Sequence, residues 1–110
     1  MHIKFTARRF RARPVIKTHA LEAVKKLDKY YDGIVTADII LSFEGAEKNI
    51  KVAETNLHVY GVVLSAKEKS DDYHKSIDSV VEKLSIQLSK YKTKLRAKDK
   101  NKVREINEKV

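Results

Sequence analysis

The stretch from Ser70 to Lys100 repeats apolar residues at the spacing of an amphipathic α-helix. Successive apolar positions are three or four residues apart, with one adjacent pair, so at about 100° per residue they fall within an arc of roughly 100°. This pattern predicts one long helix with a single buried stripe, which needs an apolar surface to cover. The stripe consists of Tyr73, Ile77, Val80, Val81, Leu84, Leu88, Tyr91 and Leu95.

Charged and polar residues near both ends of this stretch support the helical assignment. Asp71 and Asp72 can accept hydrogen bonds from the free N–H groups of the first turn and complement the positive end of the helix dipole. Basic residues follow toward the carbonyl end, and Lys98 would rotate back onto the apolar stripe. We therefore expect the core-facing helix to end near Arg96 and residues 97–110 to form a basic, flexible tail.

The length and composition limit the fold to one domain. The chain has 110 residues, 42% of them apolar, and no Cys, so neither a disulfide nor a Cys-ligated metal supports the core. It contains no run of 18 apolar residues, and its N-terminus lacks the apolar segment of a signal peptide. We expect a soluble, cytoplasmic protein.

The first third of the chain predicts a strand followed by a helix. Residues 2–7 alternate polar and apolar side chains, as a half-buried strand does. A loop with four Arg within seven residues then runs from Arg8 to Pro14, whose fixed φ suits the first position of a helix. Helical spacing continues until Asp32-Gly33. The predicted inward residues of this helix are Ile16, Ala20, Ala23, Val24, Leu27 and Tyr31.

Three later segments alternate with period 2 and predict three strands, at residues 34–43, 50–59 and 62–67. The last two are joined by a tight turn at Tyr60-Gly61. The predicted inward residues are Val35, Ala37, Ile39, Leu41 and Phe43 in the first, Ala53, Thr55, Leu57 and Val59 in the second, and Val62, Leu64 and Ala66 in the third.

These elements predict an α+β fold of order β-α-β-β-β-α. A right-handed crossover makes the first two strands parallel neighbours, and the remaining strands form an antiparallel meander. The sheet has one apolar face, so both helices must cover that face and lie roughly parallel to each other. We expect a four-stranded mixed sheet with two helices on one side, within a domain spanning residues 1–96.

The charge distribution suggests a polyanionic partner. The net charge is +9, and residues 1–30 contain nine basic and two acidic side chains, while residues 90–110 contain nine and three. The middle of the chain has no basic excess. Positive charge that is concentrated in particular segments is more typical of a binding surface than of general solubility.

Catalysis and metal binding are disfavoured by the sequence. The four His fall on different predicted elements, and His19 with Glu22 is the only pair at helical ligand spacing. The chain contains no nucleophile elbow, Gly-rich phosphate loop or Cys pair. We expect a protein that is not an enzyme and that uses no metal, cofactor or small-molecule substrate.

Lysines on the two helices are the candidate binding residues. Lysine-rich helix faces are often only solvated, but two helices on one sheet face are expected to set their lysines side by side, with the Arg loop near one end. That arrangement predicts a continuous phosphate-binding surface. It comprises Lys25, Lys26 and Lys29 of the first helix, Lys83, Lys90 and Lys94 of the second, and the loop residues Arg8, Arg9, Arg11 and Arg13.

Other binding modes fit less well. The outer sheet face has no Phe or Tyr and so lacks the stacking platform of an RRM. Double-stranded RNA-binding domains have a similar topology but place Lys at the start of the last helix, where this chain has Asp71 and Asp72. Another RNA-binding regulator, or a module using the last helix for protein or membrane contacts, remains an alternative; the helix stripe has no Trp or Phe to anchor it in a bilayer.

The second half of the chain contains a characteristic set of positions that includes Asp72, Ile77-Asp78, Lys83-Leu84 and Gln87-Leu88. In these positions it resembles the ribosome hibernation promoting factor and ribosome-associated inhibitor family. The segment Leu27 to Asp32 is similar to the family's K-L-x-K-Y-F-D segment, and the resemblance spans roughly residues 1–96. Further matches are Val59, Gly61, Ala66, Lys90, Lys92 and Lys94-Leu95.

The resemblance implies a β-α-β-β-β-α fold and a non-catalytic translation silencer of starved or stationary-phase cells. Members bind the small ribosomal subunit, with its 16S-type rRNA, in the mRNA channel and over the tRNA sites. The resemblance therefore assigns rRNA contacts to Lys25, Lys26, Lys29, Lys83, Gln87, Lys90 and Lys94.

The chain departs from the family pattern at several positions. Ile86 stands where members usually have Arg, and His74 where they have Tyr. Four Arg occupy a loop that is mostly neutral in the family. The chain ends about where longer members begin the linker to a dimerisation domain, so it resembles a short form that is monomeric when free.

Overall fold

Six elements follow one another in the predicted order β-α-β-β-β-α. The computed structural model describes the backbone of residues 1–108 and the side chains of residues 1–95. The elements are β1 (His2–Ala7), α1 (Pro14–Lys25) continued by a 3-10 turn (Lys26–Lys29), β2 (Ile34–Glu44), β3 (Ile50–Val59), β4 (Val62–Ser70) and α2 (Tyr73–Glu108).

The four strands form one mixed sheet in the order β1-β2-β3-β4. β1 is parallel to β2, with Ile3 opposite Ala37. β2 and β3 are antiparallel, and so are β3 and β4, with Leu57 opposite Leu64. The predicted parallel pairing of the first two strands and the antiparallel meander are therefore confirmed, and β1 and β4 are the two edge strands.

The hydrophobic core lies between the helices and one face of the sheet. Leu27 of the 3-10 turn, Leu84 and Leu88 of α2, and Ile39 and Leu57 of the strands are all buried. Burial of each such side chain contributes about 1.5–3 kcal/mol relative to exposure, so this layer dominates the stability of the domain.

Side-chain contacts between the helices show that they run in the same direction. His19 of α1 lies against His74 near the start of α2, with ring centroids 4.6 Å apart. Tyr31, after the 3-10 turn, lies against Tyr91 farther along α2, at 5.4 Å. Because both contacts advance together along the two segments, the parallel arrangement is confirmed.

Polar contacts fix the start of α2. The Oδ1 atom of Asp72 accepts a hydrogen bond from the backbone N–H of His74 at 3.2 Å, as expected of a helix cap. Ser76 is buried, and its hydroxyl donates to the carbonyl of Lys51 on β3 at 2.8 Å. The first turn of α2 is thereby tied directly to the sheet.

The predicted inward face of β2 is wrong at its first residues. Val35 was expected to point inward, but its side chain is 62% exposed and Ile34 is buried in its place. The pairing with β3 shifts between Ile34 and Thr36, as in a β-bulge, so the inside-outside alternation slips by one residue at this point. From Ala37 onward the predicted alternation holds for Ile39 and Leu41.

The long last helix has the predicted start and the predicted buried stripe. Tyr73, Ile77, Val80, Leu84 and Leu88 are buried, Val81 and Tyr91 are partly buried, and Leu95 is exposed at the edge of the core. The predicted end of the helix near Arg96 is wrong, because the helical backbone continues to Glu108. The side chains of residues 97–110 lie outside the described residues, and the flexibility of this segment stays a prediction. Within the described part of the chain, no helix has the length and apolar character needed to span a membrane.

We expect Leu84→Ala to lower the free energy of unfolding by about 2–5 kcal/mol, because the substitution removes buried methyl groups and leaves a cavity. Urea denaturation measures this loss. Ile86→Ala, two residues farther along the same helix at a half-exposed site, is the matched control and should change stability by less than about 0.5 kcal/mol. A loss below about 1 kcal/mol for Leu84→Ala would contradict this orientation of α2.

Candidate nucleic-acid interface

One flank of α2 displays Lys83, Gln87, Lys90 and Lys94, which are separated by four, three and four residues. The structure places this flank beside the edge strand β4. Gln87 Nε2 donates a hydrogen bond to the carbonyl of Ser65 at 2.9 Å, and the Lys83 ammonium forms an ion pair with Glu68. These contacts show that the flank faces β4.

Lys90 and Lys94 lie at a cleft between α2 and β4. The apolar part of its lining comes from Val62 and Leu64 of the strand and from Tyr91 and Leu95 of the helix. The cleft has a volume of about 420 Å³. Two ammonium groups one helical turn apart therefore border an apolar depression.

The lysines of the first helical segment lie on the other side of α2. Lys25 is the last residue of α1, and Lys26 and Lys29 belong to the 3-10 turn; all three are exposed. The helix α1 packs over β1 and against α2, whereas α2 packs over β3 and β4. The β4-facing flank is consequently the flank of α2 farther from α1.

The predicted side-by-side placement of the two lysine groups therefore needs correction. Helical geometry puts Ile86, Ser89 and Thr93, all exposed, on the outward face of α2 between the two groups. A ligand must cross this face to touch both groups. Helical periodicity in the sequence could not settle this point. It gives the position of the lysines relative to the apolar stripe, but it does not show which strand or helix lies on each side of α2.

Phe10 holds the Arg loop near the start of α2, at the end of the domain away from Lys90 and Lys94. The Phe10 ring stacks on Tyr73 with centroids 5.2 Å apart and meets Phe43 edge-on at 6.0 Å. Arg9 adopts a left-handed backbone conformation with φ of 66°, which is uncommon for a residue with a Cβ. The aromatic anchor thus turns the flanking basic residues Arg8, Arg9 and Arg11 toward solvent.

The position of this loop relative to the helices matches the prediction that it lies near one end. Arg11 and Arg13 line a hollow together with Asp71 and Asp72 at the start of α2. Lys90 and Lys94 lie about five to six helical turns farther along α2. The basic residues therefore form three groups, and the loop group borders acidic side chains.

The interface between the helices contains a His and Asp contact that spacing could not reveal. His19 Nε2 lies 2.7 Å from Asp78 Oδ1. The sequence suggested Glu22 as the only helical partner of His19, but the fold supplies a partner 59 residues away. Among the described residues, no group of three His, Cys, Asp or Glu side chains is placed to hold a metal ion.

Aromatic residues pack together at the end of the helix layer near Lys90 and Lys94. Tyr91 donates a hydrogen bond from its hydroxyl to the carbonyl of Tyr60 at 3.1 Å and meets Tyr31 edge-on. Desolvation raises the pKa of Tyr31 above its ordinary value, and the nearby Tyr91 raises it further. The Tyr31 phenol therefore stays neutral at physiological pH and does not offset the lysine charge.

Comparison with known proteins defines the family. The sequence profile of the family described as sigma 54 modulation protein / S30EA ribosomal protein matches residues 3–96. This chain belongs to that family. The match includes every strand and helix up to the end of the described side chains, and hence the lysine flank.

Relatives of this S30EA-family chain agree in sequence and fold. It is 30% identical over 96 residues to a ribosome hibernation promoting factor of Klebsiella oxytoca, covering 87% of this chain and 98% of that protein. It is 42% identical over 90 residues to a ribosome hibernation promotion factor of Lactococcus lactis subsp. cremoris, covering 80% of this chain but only 48% of that longer protein. A ribosomal subunit interface protein from Coxiella burnetii superposes with a TM-score of 0.77 at 29% identity, covering 84% of this chain and 99% of that one.

Ile86 occupies the outward position expected for it. Its side chain is 50% exposed and lies beside Glu68, Glu82 and Lys83 in a shallow hollow. An Arg at this position can reach solvent and the two carboxylates without entering the core.

We expect Ile86→Arg to change the free energy of unfolding by less than about 0.5 kcal/mol, as for ordinary surface substitutions. Urea denaturation of the purified protein is the measurement. The contrasting variant is Ile77→Arg, at a buried position of the same helix, which should unfold the domain because it buries an unpaired charge. A loss above about 1 kcal/mol for Ile86→Arg would mean that Ile86 contributes to packing.

Proposed function

We propose that this protein is a ribosome hibernation factor that inhibits translation by binding the small ribosomal subunit. It occupies the mRNA channel and the tRNA sites and performs no chemistry. The observation that supports this most strongly is the lysine flank of α2, within a chain of the S30EA family. Two of its relatives bear the name of ribosome hibernation factors.

The lysine flank suits the phosphate backbone of rRNA. Each Lys that neutralises a phosphate releases a condensed counterion, and this release supplies much of the affinity of proteins for nucleic acids. The contacts of Gln87 with Ser65 and of Lys83 with Glu68 hold two side chains of the flank in place. An ordered flank loses less side-chain entropy on binding than a fully mobile one.

The remaining basic groups extend this surface. We assign rRNA contacts to Lys83, Gln87, Lys90 and Lys94 first, and to Lys25, Lys26, Lys29 and the loop residues Arg8, Arg9 and Arg11 as additional contacts around α2. Because rRNA can wrap a domain of this size, contacts on both sides of α2 are compatible with one binding site. The protein acts in the cytoplasm and is a monomer when free.

We expect the double variant Lys90→Glu and Lys94→Glu to lose binding to small subunits and to lose inhibition of translation. Both side chains are exposed beside the core and do not enter it, so the fold should be retained. Cosedimentation with purified small subunits and a reconstituted translation assay measure the two effects. Inhibition equal to that of the wild type would show that this flank is not the binding surface.

The matched control for this variant reverses the same amount of charge on the opposite side of the domain. Lys4 and Lys67 are exposed on the outer face of the sheet, where the helices do not pack. The double variant Lys4→Glu and Lys67→Glu has the same net charge as the first variant. It should retain most of its binding and inhibition, which separates a local contact from an effect of net charge.

We also expect added initiator tRNA and messenger to relieve inhibition together, because the three molecules would compete for one space. Translation rates at a fixed concentration of this protein should recover as the two ligands approach saturation. Inhibition that stays constant across the titration would contradict occlusion of the channel.

A further inference from the structure

The cleft between α2 and β4 remains open because the sheet ends at β4. Val62 faces the helix layer with Leu64, as predicted, yet it is 44% exposed because no further strand or helix among the described residues covers it. Leu95 of α2 lines the same cleft and is also exposed. Apolar side chains gathered in an open depression are characteristic of a binding site.

The chemistry at the cleft combines an apolar floor with a cationic rim. Val62, Leu64, Tyr91 and Leu95 supply apolar and aromatic surface, and Lys90 and Lys94 stand one turn apart at the side. The volume of about 420 Å³ lies within the range of about 300–1,000 Å³ that is usual for small-ligand sites. The complementary ligand is flat and apolar with negative charge at its edge, which describes a nucleotide.

The aromatic wall of the cleft is held rigidly. The Tyr91 hydroxyl donates to the carbonyl of Tyr60, and the Tyr91 ring contacts Tyr31 edge-on. Tyr60, at the turn just before Val62, is 89% exposed. Rigid aromatic side chains beside lysines are the usual means by which proteins bind unstacked bases of single-stranded RNA.

A peptide strand added to β4 suits this surface less well. The solvent-facing side of β4 carries Lys67 and Lys69, and charged Lys on an edge strand discourages pairing with another strand. Lys69 is already ion-paired with Glu44 at 2.7 Å. The cleft therefore favours RNA over an acidic peptide.

From this geometry we infer that the cleft binds one unpaired, unstacked base of RNA while Lys90 and Lys94 contact the adjoining phosphates. The inference rests on the proposed function and adds to it that the bound RNA includes a single-stranded nucleotide. The lysines supply affinity for any phosphate chain. The cleft supplies the part of the binding affinity that depends on the presence of a base.

The test compares how tightly two RNA strands of equal length and charge bind to the full protein chain. One is a short single-stranded RNA, and the other has the same phosphates with abasic residues. Fluorescence anisotropy should show the wild type binding the intact strand about 5- to 150-fold more tightly, which is the range for stacking of one base. In methyl NMR spectra, only the intact strand should shift the resonances of Val62, Leu64 and Leu95.

Two substitutions and a control isolate the cleft. Val62→Phe fills the cleft, and Tyr91→Leu removes its aromatic wall while keeping an apolar side chain. Both variants should bind the intact strand about as weakly as the abasic strand, and their affinity for the abasic strand should equal that of the wild type. Val63→Phe places the same ring one residue along β4, at an exposed site on the other sheet face, and should keep the preference.

The outcomes distinguish this inference from the proposed function. Equal binding of intact and abasic strands by the wild type, or a preference that survives both Val62→Phe and Tyr91→Leu, would overturn the base site while leaving ribosome binding through the lysine flank untouched. Shifts of the cleft methyl groups with an acidic, Leu-containing peptide but not with RNA would also overturn it. Loss of binding to both strands in the Lys90 and Lys94 variant, with subunit binding retained, would count against the proposed function instead.

Discussion

Burial of the α2 stripe against the sheet is the contact on which the rest of this domain depends. The sheet has one apolar face, and Leu84 and Leu88 fill the centre of the layer that covers it. Once this stripe is buried, the rotation of α2 about its own axis is settled. The lysine flank is then directed toward β4, and His74 and Asp78 are directed toward α1.

Different sides of α2 therefore serve folding and binding: the apolar stripe packs in the core, and the lysine flank is the candidate binding surface. Stability comes from apolar groups shut off from water, whereas binding to a polyanion comes from charges that stay in water until the ligand arrives. Because the flank borders the buried stripe without entering it, substitutions can separate the two roles. The half-exposed Ile86 lies beside Glu68 and Glu82 on the outward face of α2, away from the buried stripe.

The edge of the sheet determines the shape of the candidate site. A four-stranded sheet is just wide enough for two helices, and beyond β4 no strand or helix of the described part of the chain covers the side of α2. The uncovered strip becomes the cleft in which Val62 and Tyr91 meet Lys90 and Lys94. Glu68, which pairs with Lys83, and Tyr60, which reaches solvent at the turn, belong to the same border, and neither is marked by periodicity or by a motif.

The element order, the buried stripe of α2 and the shared flank could be predicted from local periodicity alone. That flank carries Lys83, Gln87, Lys90 and Lys94. The burial of Ile34 in place of Val35 could not be predicted in this way, since a bulge depends on how two strands pair in the folded protein. The fold of the whole domain sets this pairing. It alone also placed the lysine groups on opposite sides of α2 and brought His19 to Asp78. Periodicity fixes which side chains share a face, but distant parts of the chain decide what each face meets.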